Sequence, residues 1–191
     1  MTREVPAVGA PDGWVAPETR IAEGRVVIED LDAFLAELEA IGSETGAVVQ
    51  AVDADRVVDG DHLRLATRLA ARAIARGEAV ARDPAVEVLL YAAGRRQIDR
   101  ALELGVEPGE RRVGFVVADF GDVPGADRPG ASLEAAVAAV ERRCESSHVL
   151  GTFDEAAVRS YYEVTDDELE AAAGDLPALV RERVALLDVE K

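Results

Sequence analysis

The chain has 191 residues, enough for one self-folding domain, and 49% of them are hydrophobic, so it can bury a real core. Its 21 basic residues face 38 acidic ones, a formal net charge of −17; this excludes a uniformly basic nucleic-acid binder and leaves a local basic patch open. Lys191 is the single lysine, and an acid-rich, lysine-poor chain heavy in Ala and Val is the composition expected of a halophilic cytoplasm run at multimolar salt, where charge repulsion is screened within about 3 Å. The other reading of the acidity is a surface made for a basic partner. A single cysteine, Cys144, excludes an intrachain disulfide and a Cys-based zinc cluster, and fits a reducing cytoplasm. Residues 1–13, interrupted by Pro6, Pro11 and Asp12, are not expected to be a signal peptide, and no stretch reaches the roughly 18 apolar residues of a membrane span.

Residues 1–20 read as a loosely ordered lead-in with Trp14 as its one candidate anchor, and 21–191 as a single folded domain. A β-rich run at 25–29 leads to Asp30, which caps a helix with Leu31, Phe34, Leu35, Leu38 and Ile41 on one face, stopped by Gly42. A second strand covers 47–52. Asp61 is expected to cap a long helix to Arg76, closed by Gly77, with Leu63, Ala66, Ala70, Ala73 and Ile74 as a small-residue packing face. Asp83 and Pro84 start a helix through Leu90 and Tyr91 to Gly94; Arg95 then opens another, with Ile98, Ala101, Leu102 and Leu104 inward. The apolar run 113–118 predicts a central strand, and 120–131, with three glycines and two prolines, an internal loop. A helix at 134–143 and an ambiguous stretch holding one short edge strand precede three short helices at 154–162, 165–173 and 176–188. Thr165 and Glu168 have capping-box spacing. Few strands and many helices in non-alternating order predict an α+β domain, a small mixed β-sheet packed with several helices, and not a Rossmann sheet.

Catalytic and metal chemistry finds no support. His62 and His148 stand far apart without ligand partners and read as cap or surface residues. Asp53, Asp55 and Asp59 begin a calcium-loop spacing that fails at Val57, Val58 and Arg64. Asp119-Phe120-Gly121 copies the magnesium triplet of protein kinases without the strand lysine or catalytic loop. The expectation is a protein with no catalytic residues, no metal and no cofactor.

The arginines are unevenly placed. Residues 56–112 hold 11 arginines against 9 acids, a net of +2, while the rest of the chain carries 10 basic and 29 acidic residues, a net of −19. Arg64, Arg68, Arg72 and Arg76 recur every fourth residue, a stripe drifting only about 40° per step on a helix. In this background a plain solvated face would be Asp and Glu, so the stripe points to an anionic ligand. At Gly94-Arg95-Arg96-Gln97, two arginines and an amide at an expected helix start would build an anion site with reach to a base. Pairing of Arg95 and Arg96 with Asp99 or Glu103 is the structural alternative.

The stretch Glu87-Val88-Leu89-Leu90-Tyr91-Ala92-Ala93-Gly94-Arg95-Arg96-Gln97-Ile98-Asp99-Arg100-Ala101 closely resembles the Glu-x-Leu-Leu-Tyr-x-Ser/Ala-Gly-x-Arg-Gln-Ile-x-x-Ala pattern of the small KEOPS-complex subunit, the PRPK-binding protein (TPRKB-like) family. Gln50 to Ala54 followed by Gly60 to Leu63, and Thr165 to Leu169 followed by Leu179 to Leu187, are similar to its earlier and later blocks. The resemblance implies a non-catalytic KEOPS subunit. Such a subunit binds and stimulates a kinase/ATPase subunit, binds tRNA through its unpaired 3′ CCA end, and serves threonylcarbamoyladenosine (t6A) modification indirectly through the transferase subunit. Carried onto this chain, the tRNA candidates are Arg95, Arg96 and Gln97, joined by Arg68, Arg72 and Arg76 from spacing. The kinase-interface candidates are Val180, Val184 and Leu187, on one apolar face of the last helix. The alternative is a protein-only adaptor of the kinase subunit without RNA binding.

Overall fold

A computed structural model describes residues 14–189. Most of the expected lead-in, residues 1–13, lies outside the described residues. The first strand begins earlier than its apolar run: β1 (Thr19–Ile28) takes in Thr19 and Arg20, and its side chains alternate so that Ala22, Gly24, Val26 and Ile28 are buried. β3 (Gly109–Ala118) is buried without interruption from Val113 onward and occupies the centre, as its continuous apolar run predicts.

The sheet order is β2-β3-β1-β4, with β2 at Val48–Asp53 and β4 at Glu145–Ser146. Thr19 and Val48 both lie opposite Ala118, so β1 and β2 run in the same direction on either side of β3. Helix α1 (Leu31–Thr45) makes that crossover. The two strands that run the same way are separated by β3, and β4 also pairs antiparallel with β1, so every pairing is antiparallel and the sheet is not the mixed one expected. The fold is a single-domain α+β architecture, with helices on both faces of the sheet.

On one face, α1 and α5 (Leu133–Glu141) cover Val26, Ile28, Val113, Phe115 and Val117. On the other, α2 (Gly60–Ala75), α3 (Pro84–Ala93), α6 (Glu155–Tyr162) and α8 (Leu176–Val189) cover Val48, Val52, Val116 and Ala118. All five small-face residues of α2, Leu63, Ala66, Ala70, Ala73 and Ile74, are buried there. The short α4 (Ile98–Leu102) and α7 (Asp166–Ala171) complete the chain.

Aspartates start most of the described helices: Asp30, Asp59, Asp83, Asp154 and Asp175 each accept a backbone N–H of the first turn, and Thr165 and Glu168 form the predicted capping box. The cap of α2 is Asp59, not Asp61. Helix α1 runs past Gly42 and stops at Gly46, which has φ +78°. Gly42 instead permits close approach, since a Cβ there would sit 2.9 Å from the Ala47 carbonyl.

The sequence decoys have structural roles. Asp53 and Asp59 cap helical turns, Asp55 pairs with Arg112, and the Asp119 carboxylate accepts the Gly121 and Ala131 N–H groups to close the 120–131 loop. His148 is exposed, but His62 is a core residue and not a cap. Among the described residues no helix is long and apolar enough to cross a membrane.

Candidate functional site

The turn carrying Arg95 to Gln97 is built by the end of α3. Gly94, at φ +61°, donates its N–H to Tyr91 O, and Arg95 N–H reaches Leu90 O at 3.1 Å. Both groups therefore close the C-terminus of α3. Helix α4 begins only at Ile98, and Gln97 caps it without a side-chain bond. The expected helix start at Arg95, with free N–H groups aimed at an anion, is thus corrected. Ile98 and Leu102, expected inward, are exposed at 44% and 56%, while Ala101 and Leu104 are buried.

The side chains of this turn part company. Arg95 donates to the Tyr161 carbonyl, lies over the Tyr161 ring at 5.3 Å, and has Glu163 at 3.8 Å. Arg96 donates to Leu187 O at 3.2 Å, a carbonyl in the last turn of α8. Neither uses Asp99 or Glu103 as its partner among the described residues. Gln97 is exposed.

The arginine stripe of α2 divides in the same way. Arg64 and Arg68 are exposed, facing the segment Ala16 to Thr19 across a shallow cleft, with Arg64 paired to Asp61 at 3.2 Å. One turn further the drift of the stripe carries it beneath α8. Arg72 donates to Asp188 Oδ2, Arg76 lies 3.7 Å from the same oxygen and 3.9 Å from Glu78, and Tyr91 Oη donates to Asp188 Oδ1 at 3.4 Å. The Asp188 side chain is only 6% exposed. Burial, with the Asp188 and Glu87 carboxylates nearby, pushes the Tyr91 hydroxyl well above its ordinary pKa, so Tyr91 is a donor here.

Beside this cluster, buried Glu87 accepts the N–H groups of Val80 and Ala81 and fixes the loop between α2 and α3. Tyr91, Arg95, Arg96, Glu87 and Leu187 line one small pocket. The structure therefore gathers Arg72, Arg76, Arg95 and Arg96 around the C-terminal turn of α8, and leaves Arg68 apart. Sequence reasoning missed Asp188, Glu87 and Tyr161. The signal for Glu87 was present, a lone carboxylate inside an apolar helix.

Val180 and Val184 are fully buried and Leu187 is 7% exposed, all three within the core of the α2/α3 face. Their side chains are engaged within the chain. The surface that α8 turns outward is Leu179, Glu182, Arg183 and Leu186, facing Ala171 and Ala172 of the α7 end across a shallow groove. Arg183 pairs with Glu168 at 2.6 Å on that groove.

No curated protein matches the chain. A family model does, that of the kinase binding protein CGI-121, and its match over residues 32–188 runs from the first turn of α1 to Asp188, taking in every arginine of the cluster. The chain belongs to the CGI-121 kinase-binding family.

Proposed function

We propose that this protein is a non-catalytic KEOPS subunit that binds the kinase/ATPase subunit and recruits tRNA by its unpaired 3′ end, in support of t6A modification. The observation that carries the RNA half is the charge inversion: residues 56–112 have a net charge of +2 in a chain of net −17, and four of their eleven arginines, Arg72, Arg76, Arg95 and Arg96, gather at one end of α8. In a cytoplasm of multimolar salt, phosphate contacts alone are weak. Base-edge contacts from Arg96 and Gln97, beside the exposed Ile98 and Leu102, suit unpaired nucleotides. Arg68 is the outlying phosphate contact. Family membership supports the kinase half, and the outward face of α8, Leu179, Glu182 and Leu186, is the surface offered to it.

The second reading, a kinase adaptor without RNA binding, is favoured by one observation: Arg72, Arg76, Arg95 and Arg96 all have protein partners. Filter binding in multimolar KCl, to a tRNA with and without its terminal CCA, separates the two. Binding that is lost with the CCA, and lost in the Arg96→Glu, Gln97→Ala variant while kinase binding persists, supports recruitment. Kinase binding with no RNA binding supports the adaptor.

A further inference from the structure

The arginines assigned to an anionic ligand are filled by an anion already, and it belongs to the chain itself. Arg72 and Arg76 converge on one oxygen of Asp188, Tyr91 donates to the other, and Arg96 holds the carbonyl of the neighbouring residue, Leu187. Two guanidiniums on one carboxylate oxygen, with a hydroxyl donor on its partner, is a donor set that a phosphodiester, with one charge shared by two non-bridging oxygens, can also satisfy. The occupant comes from the last described turn of α8. One residue further on, Val189 is 74% exposed, so the solvent edge of the helix end is adjacent to the site. Arg76 is itself 20% exposed.

We propose that Asp188 is an internal stand-in for a phosphate of the RNA 3′ end, and that RNA binding at Arg72, Arg76 and Arg96 proceeds by displacing its carboxylate. The inference rests on the RNA-recruiting reading and adds the competitor that regulates it. A surface arginine patch would bind polyanions indiscriminately. An arginine set closed by its own carboxylate admits only a ligand that brings enough further contacts to exchange the ion pair. The buried pair costs more to break than a solvated one, so the gate is selective.

The test is tRNA affinity of the full chain at fixed multimolar KCl. Asp188→Asn is expected to bind CCA-ended tRNA about tenfold more tightly than the parent. Asp99→Asn, which removes the same charge near Arg96 but outside the cluster, should leave affinity within about twofold. Tyr91→Phe loosens Asp188 without stranding a charge and remains usable if Asp188→Asn does not fold; it is expected to tighten binding about twofold. Parent affinity left unchanged or weakened by both Asp188→Asn and Tyr91→Phe overturns the displacement while leaving recruitment standing. Equal gains in Asp188→Asn and Asp99→Asn also overturn it, since net charge alone would then account for the effect. No tRNA binding by parent or variants overturns both the displacement and the RNA half of the proposed function.

Discussion

The two faces of the sheet are built from different material. Under α1 and α5 the core is entirely apolar, from Ala22 and Val26 to Leu133 and Val140. Under α2, α3, α6 and α8 an apolar core of similar kind encloses His62, Thr67, Glu87 and Asp188, the four buried polar or charged residues among those described. The first face needs only volume and pattern to hold it. The second holds its polar groups through bonds that cross between elements, His62 to Ala92 O, Arg72 to Asp188 and Tyr91 to Asp188, which tie α2, α3 and α8 to one relative placement. The arginine cluster sits on the demanding face, and a face that must hold charges in register is the one on which a site can be kept.

The sharpest test of that contrast is Glu87→Ala. It leaves the Val80 and Ala81 N–H groups without their acceptor and truncates a buried side chain beside the cluster, at a cost of about 2–3 kcal/mol in denaturant unfolding. Ile41→Val on the other face should cost about 1 kcal/mol. A Glu87→Ala cost no larger than this would remove the distinction.

Acid provides the second test. Burial pushes the His62 imidazole down to about 4, against the Ala92 carbonyl bond and the Asp59 charge, both of which favour the cation. Nε2 donates to Ala92 O at 2.8 Å, but Nδ1 is buried with no hydrogen-bond partner among the described residues to receive a proton's charge, so burial keeps the ring neutral in the folded state. The unfolded chain therefore binds the proton first, and stability falls from about pH 6.5 down to about 4, by about 3 kcal/mol in total. His62→Leu should flatten that part of the melting-temperature profile; a profile unchanged by the substitution would contradict it.

Helix α8 divides the contrast within one element. Val184→Ala, buried, should cost about 2 kcal/mol of stability. Leu186→Glu, on the outward side, should shift stability by less than about 0.5 kcal/mol yet weaken kinase binding at least tenfold in a pull-down titration. If only Val184→Ala affects kinase binding, the outward face is not the contact.

The smallest effect is expected at the sheet edge. Burial raises the Glu23 pKa, but the N–H groups of Leu150 and Val149 and the His148 ring outweigh it and hold the carboxyl below the ordinary range. Its contribution is present above about pH 4.5 and is lost as pH falls through the lowered folded value. Glu23→Gln should loosen residues 148–150, read as faster amide exchange at Val149 and Leu150 at neutral pH, with less change in melting temperature than at His62.

Much of this was legible in the chain. Helix starts at Asp30, Asp83, Asp154 and Thr165 and the central strand at 113–118 all carry local signals that tertiary packing did not override. The sheet's antiparallel closure was not, because strand order depends on pairings between residues some 90 positions apart. Within the site, the spacing of Arg64 to Arg76 gave the stripe, but not the point at which α8 covers it. Arg95 misled because Gly94 is equally suited to end one helix or precede another; the Leu90 and Tyr91 carbonyls decided for the ending. His62 was misplaced because a histidine tied to one carbonyl and packed edge-on to Tyr162 has no signature in composition.

The position of β3 also sets the order in which the molecule can assemble. β1 and β2 leave the ribosome with no partner for each other, and the strand that joins them begins only at Gly109, after α2, α3 and α4 have been made. Those helices can pair locally in the meantime, as α2 and α3 are neighbours in sequence and in space. The nascent chain is therefore expected to pass through a helical intermediate with two unpaired strands, exposed to misassociation until residue 118 emerges.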